Sequence, residues 1–303
     1  MWERIRTAII LLVVVGVAMF ATDLPVLMLP LLLLGAGIGA LEWAKLMPDW
    51  HSDAKHYQTP TTQIPCKSAR HGDFIFMALM LVSIGIVLGL PVMTHAERDW
   101  HNVWVLLWAV AGLLWLMAIK WVSHYPNATQ AWYGKGLYAI GMVMLLAAIT
   151  AIYYLWSLSP WWLLYVFVLV WCADSGAYFV GRKLGKRKMS PHVSPNKSVE
   201  GLIGGLATGT IVVLAVTFGL HSDWSALAIG LFLLLSLMTI VISVFGDLFE
   251  SMLKRHAGVK DAGRLLPGHG GILDRIDSQL SAMPIFALGF WAMQYMGLIQ
   301  IIP

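Results

Sequence analysis

Nine stretches of this chain are apolar for long enough to cross a lipid bilayer, and that restricts the fold more than any other feature. A span needs roughly 20 mostly apolar residues to cross about 30 Å of hydrocarbon. Windows of that kind centre on residues 8–22, 24–44, 74–93, 103–122, 137–156, 161–180, 202–220, 226–246 and 283–301. Only Asp23 and its neighbours separate the first two, so that boundary is soft. The sixth and eighth windows end in polar motifs, which leaves their ends open. Of the 303 residues, 59% are hydrophobic and 12% charged, against about 25% charged in a soluble domain. Such a chain cannot cover a water-facing surface. The expected fold is all-α: a polytopic transmembrane helical bundle of about nine spans, without a separate soluble domain.

Charge placement gives the orientation. With nine spans and the N-terminus in the cytoplasm, 19 of the 20 Lys and Arg fall inside and only Arg98 falls outside. An error in the middle of the count would scramble this positive-inside bias. The net charge of +4 therefore reflects topology, with some attraction for anionic head groups and phosphates. It is not a sign of nucleic-acid binding. Arg4 and Arg6 precede an apolar run that lacks a small-residue cleavage site, so an uncleaved first span is expected. Cys66 and Cys172 are far apart and fall on the cytoplasmic side or within a span, so no disulfide is expected. The polar stretch 47–72 contains His51, His56 and His71, at spacings that fit no tight metal motif; it reads as a solvated loop. No internal repeat supports the inverted symmetry of many transporters.

Residues 1–160 read as a scaffold of transmembrane helices. Residues 161–303 read as a catalytic transmembrane region with cytoplasmic loops at 181–201 and 247–282. Charged residues near a membrane interior are costly, which makes them functional candidates. The first polar segment runs from Asp174-Ser175-Gly176 through Gly181-Arg182-Lys183 to Ser194-Pro195-Asn196-Lys197-Ser198-Val199-Glu200-Gly201. Asp174 is either a helix-end carboxylate paired with Arg182 or Lys183, or one that faces a polar cavity; the second reading is preferred. Gly176 and Gly181 allow a backbone or a ligand to approach closely. Ser194, Asn196 and Lys197, just before a helix start, suit phosphate oxygens. The basic run from Arg182 to Lys188 is in part a positive-inside anchor.

The second segment starts at Gly246-Asp247, continues through Ser251-Met252-Leu253-Lys254-Arg255-His256 and Lys260-Asp261-Ala262-Gly263, and ends Leu266-Pro267-Gly268-His269-Gly270-Gly271-Ile272-Leu273-Asp274-Arg275-Ile276-Asp277. On a helix, Asp274 and Asp277 share a face. With Asp247 nearby they can hold a divalent metal, and Mg²⁺ favours carboxylate, phosphate and water oxygens. Neighbouring Lys and Arg would neutralise phosphate charge. The turn Pro267–Gly271 can offer N–H groups to an anion. A loop merely laced with salt bridges would need the charges but not so many glycines.

The stretch Ser251–Asp277 resembles the hallmark of the phosphatidate cytidylyltransferases, also called CDP-diacylglycerol synthases, with His269–Asp277 matching the pattern throughout. Asp174–Tyr178 and Ser194–Gly201 are similar to other motifs of that family. The resemblance covers roughly 170–280; in the N-terminal half only the topology and Glu42-Trp43 echo it. It implies a nucleotidyltransferase acting on CTP and phosphatidic acid at the bilayer, releasing pyrophosphate, dependent on Mg²⁺ with a second cation position open, and a homodimer. By resemblance, Asp247 and Asp274, then Asp277, are expected metal ligands and catalytic groups. Lys197, Lys254, Arg255, Lys260 and Arg275 are expected phosphate contacts. Asp174, Ser194, Asn196 and Asp261 are expected to line the same site. His269 is either a catalytic acid or base or a residue whose hydrogen bond orders its loop. A bacterial inner membrane with a cytoplasmic site is the expected location. The rival readings are another membrane phosphotransferase, such as a polyprenol or lipid kinase or a prenyl-phosphate sugar transferase, and, from a different class, a transporter using Asp174 and Asp247.

Overall fold

The structure, a computed structural model, describes residues 2–21, 25–47, 68–94, 96–126, 136–220, 224–266 and 270–299. His269, Pro267, Gly268, Cys66 and most of the 47–72 loop lie outside the described residues.

Long helices dominate: α1 (Trp2–Phe20), α2 (Met28–Leu46), α3 (His71–Ile84), α4 (Glu97–His124), α5 (Gly136–Leu158), α6 (Pro160–Leu184), α7 (Val199–Leu220), α8 (Ala226–Ala257) and α9 (Leu273–Tyr295). Helix α3 runs on through a π-helical turn, Gly85–Gly89, into a last turn, Leu90–Met93. In lipid the backbone has no water to bond, so helices are the form that satisfies it internally. Seven helices among the described residues are long and apolar enough to span a membrane. The other two differ in kind: α1 has a shorter apolar stretch, Arg6–Phe20, and α9 opens with Asp274, Arg275, Asp277 and Gln279. The protein is a polytopic membrane bundle, as expected.

Contacts between helix ends show that the helices alternate in direction. At one end the C-terminal turn of α2 meets the start of α5, where Trp43 Nε1 donates to Leu137 O. At the other end Trp156 Nε1 of α5 donates to Met19 O of α1, and Tyr154 OH donates to Gln294 Oε1 near the end of α9. The first end therefore gathers the C-terminal turns of α2, α4, α6 and α8 and the N-terminal turns of α3, α5, α7 and α9. Large apolar residues such as Leu113, Leu116, Ile211 and Phe218 face outward, as a lipid-facing surface requires. Inside the bundle, hydroxyls return to their own helix: Thr150, Ser236 and Thr239 all donate to carbonyls one turn back.

Two boundaries differ from the sequence expectation. Helix α8 does not end at the eighth window but continues to Ala257, closing at Gly258 with φ 70°, a left-handed position that favours glycine. Helix α9 begins at Leu273, ten residues before the ninth window. The expected loop 247–282 is thus mostly helix, and only 258–272 connects. Charge ended the hydropathy windows, but a helix ends only where its i to i−4 bonds end. The expected loop 181–201 contains a small antiparallel hairpin, β1 (Lys188–Ser190) with β2 (Ser194–Ser198).

Candidate active site at one end of the bundle

The polar residues of both segments gather at the end where α6 and α8 finish and α7 and α9 begin. Helices α6 and α7 come together through small residues. A Cβ on Gly176 would lie 2.2 Å from Thr208 Oγ1, and one on Gly204 2.5 Å from Val180. What approaches Gly176 is thus α7, and what approaches Gly181 is Ser198 of β2 and Gly201 of α7. Ser198 caps α7, its Oγ accepting from Gly201 N at 3.1 Å. Glu200 holds the hairpin entry, accepting from the N–H groups of Lys186 and Arg187 and pairing with the Arg187 side chain at 3.0 Å. The hairpin is thereby fixed over the end of α8, where Arg255 Nε donates to Val193 O.

This arrangement presents Lys197 inward. Its Nζ lies 2.6 Å from Asp247 Oδ2 and donates to Val244 O at 3.2 Å. Asp247 also accepts from Ser251 Oγ. Asp174 does not pair with Arg182, which donates to Tyr178 OH instead; the charges acting on Asp174 are those of Lys197 and Asp247. Asp277, facing from α9, feels Asp247, Lys197 and Lys254. Helices α8 and α9 reach this proximity at Gly246, where a Cβ would stand 2.6 Å from the Asp277 carbonyl and 2.4 Å from Ser281 Oγ.

Deeper in, Lys254 is clamped between two carboxylates. It pairs with Glu250 one turn back and with Asp274 Oδ1 at 2.6 Å. The other oxygen of Asp274 accepts from Ala262 N at 3.0 Å and Gly271 N at 2.8 Å. Both oxygens of Asp274 therefore have protein partners. Lys254, expected at a phosphate, is held by these two carboxylates.

The glycine-rich turn also departs from expectation. Its described N–H groups do not form an empty anion cradle. Gly271 N serves Asp274, Gly270 N serves Leu266 O, and Leu273 N serves Glu42 Oε2 at 2.7 Å. The anions this loop holds are the protein's own carboxylates.

Ser194 is half-buried and Asn196 exposed, on the strand that carries Lys197. Lys260 and Arg275 are exposed at the rim, with Asp261 half-buried beside Gly270. Glu250 and Glu42 were missed by the sequence analysis as site residues. Glu250 lies at i−4 from Lys254 on α8, a spacing that could have found it. For Glu42 the signal was the Glu42-Trp43 echo of the family, which assigned it no role.

Among the described residues no group of three or more His, Cys, Asp or Glu converges as a metal site. What converges is an alternating set of carboxylates and ammonium groups at one end of a membrane bundle. The Cytidylyltransferase family model matches residues 2–293.

The chain belongs to the cytidylyltransferase family.

Relatives named phosphatidate cytidylyltransferase agree with that assignment. The chain is 46% identical to one from Haemophilus influenzae over 191 residues, covering 57% of this chain and 64% of that protein. It is 38% identical to one from Pseudomonas aeruginosa over 258 residues, 84% of each. A Bacillus subtilis relative is 53% identical over 134 residues, 48% of its length. The lipid-kinase and transporter readings find no support here.

Proposed function

We propose that this chain transfers the cytidylyl group of CTP to phosphatidic acid, giving CDP-diacylglycerol and pyrophosphate. The observation that supports it best is the Lys197–Asp247 pair flanked by Asp174 and Asp277. It places separable positive and negative groups at the bilayer edge, where a lipid phosphate and a soluble nucleotide can meet.

In the reaction a phosphate oxygen of phosphatidic acid attacks the α-phosphorus of CTP. One P–O bond forms, the bond to the β-phosphate breaks, and pyrophosphate leaves with its electron pair. The attacking phosphate is already largely ionised, so no strong base is required. The barrier is the meeting of two anions, and it falls through orientation and charge neutralisation. Lys197 on β2 is placed to leave Asp247 for a phosphate oxygen. Arg255, Lys260 and Arg275 are the candidates to hold the leaving pyrophosphate. Asp174 and Ser194 bound the side nearest α6, with Asn196 and Asp261 at the rim.

Mg²⁺ commonly binds one or two carboxylates plus phosphate and water. Asp247 and Asp277 fit that role: Asp277 feels the charge of Asp247, and Asp247 is partly open to solvent. Asp274 fits it less well, since both its oxygens hold protein donors. Bound there, the ion would neutralise charge on the reacting phosphates. Asp274 with Lys254 then supports the metal-holding face, and His269 would serve as an acid or base or order its loop. A second cation would use the same carboxylates.

The site end, with the N-terminus, faces the cytoplasm in this reading, supported by the 19-to-1 distribution of Lys and Arg. The membrane is then the bacterial inner membrane. The division into a scaffold, 1–160, and a catalytic region, 161–303, follows the placement of the polar groups, and a homodimer follows the family. The test is purified protein in vesicles containing phosphatidic acid, given CTP and Mg²⁺. Pyrophosphate and CDP-lipid should form in equal amounts; pyrophosphate without CDP-lipid would refute the reading.

A further inference from the structure

We propose that Glu42, on α2, is a positioning residue of this site: its carboxylate is the fixed anion against which Gly263, Gly271 and Leu273 are placed. The inference rests on the cytidylyltransferase reading for its activity readout. Its geometry stands on the structure alone.

Glu42 is 231 positions from the residue it bonds, with Leu273 N donating to Oε2 at 2.7 Å. It is 2% exposed. It meets the start of α9, where free backbone N–H groups and the helix dipole favour an anion. Asp274, the next residue, then turns its own carboxylate to Gly271 N, Ala262 N and Lys254. Two anions thus divide the amides of one short loop, and each fixes the place of the other.

Space supplies the independent observation. A Cβ on Gly263 would fall 1.9 Å from Glu42 Oε1, and one on Gly271 would fall 2.4 Å from Oε2. All three nearest atoms to that Gly271 position belong to Glu42. Gly271 does not have positive φ, so its backbone does not need glycine. Gly271 lacks a side chain because Glu42 occupies the space. Helix α2 is a firm platform for this contact: the next residue, Trp43, donates to Leu137 O at 3.2 Å and lies 6.2 Å from the Phe249 ring of α8.

The test is a double-mutant cycle of Glu42→Ala and Gly271→Ala in lipid vesicles. It reads CDP-lipid formation and amide hydrogen exchange of residues 262–273. Each single variant should lower kcat by about tenfold to a hundredfold, with the KM for CTP changed less. In the Glu42→Ala background, Gly271→Ala should cost nothing further, since the obstructing carboxylate is gone. Glu42→Gln, which keeps size and one acceptor oxygen but not the charge, should restore part of kcat. Faster exchange at Gly271 and Leu273 in Glu42→Ala should accompany the loss. Equal and additive damage by Gly271→Ala in both backgrounds would overturn the proposal, because the glycine would then answer to a substrate. So would wild-type turnover and exchange in Glu42→Ala. If wild-type protein forms no CDP-lipid, the functional reading fails by itself, and the exchange measurement still decides the role of Glu42.

Discussion

Lys197 and Asp247 join the β-hairpin to the C-terminal third of α8, with Nζ and Oδ2 2.6 Å apart. One partner comes from the first polar segment and the other from the second. Asp247 lies fifty positions after Lys197 in the chain, and the whole of α7 falls between them. The pair is only partly buried, so it can open for a phosphate and a cation without a large desolvation cost.

Removing the Lys197 charge should therefore act on catalysis more than on folding. Lys197→Gln is expected to lower kcat/KM by about 10²-fold and to leave the thermal midpoint nearly unchanged. Initial rates of pyrophosphate release, together with a thermal unfolding curve in detergent, check this. A large fall in midpoint with little change in rate would make the pair structural.

The three aspartates should separate under Mg²⁺ titration. Asp247→Asn and Asp277→Asn are expected to raise the half-saturating Mg²⁺ concentration by about tenfold or more. Asp274→Asn is expected to abolish turnover at saturating Mg²⁺ while the protein still inserts and folds. The distinction follows from the oxygens: those of Asp274 are held by Lys254, Ala262 and Gly271. Rescue of Asp274→Asn by high Mg²⁺ would return it to the metal.

Lys254 should behave as a structural charge. Lys254→Met leaves Glu250 and Asp274 buried without their shared cation, which costs about 3–5 kcal/mol for a broken buried pair. The added change Glu250→Gln removes one orphaned charge and should recover part of the loss. Chemical denaturation of the single and double variants measures it.

Gly246 should tolerate no side chain. Gly246→Ala places a methyl 2.4 Å from Ser281 Oγ and 2.6 Å from the Asp277 carbonyl, so α8 and α9 must part. Overpacking of this sort costs about 1–3 kcal/mol. It should also lower activity, because the same displacement moves Asp277 away from Asp247. Unchanged stability would mean that the helices yield there.

The sequence made the bundle legible because lipid imposes a length and a polarity on every span. Asp174, Asp247, Asp274 and Asp277 stood out for the same reason: charge beside such spans is costly. The continuation of α8 to Ala257 did not stand out. Glu250, Lys254 and Arg255 lower hydropathy, while the backbone bonds that carry the helix past them leave no mark in a hydropathy window. The use of the loop amides was hidden for a different reason. Gly263 and Gly271 look the same in sequence whether they admit a phosphate or a carboxylate of the protein. The answer came from Glu42, brought from α2 by tertiary packing alone.

The most direct test of the account follows the phosphorus atoms. Vesicle-embedded protein is given phosphatidic acid, Mg²⁺ and CTP labelled on either the α- or the γ-phosphate, with ATP and UDP-sugars in parallel. The account predicts α-label in lipid, γ-label only in pyrophosphate, and no transfer from ATP or UDP-sugars. Lipid labelled from the γ-phosphate, or from ATP alone, would contradict it.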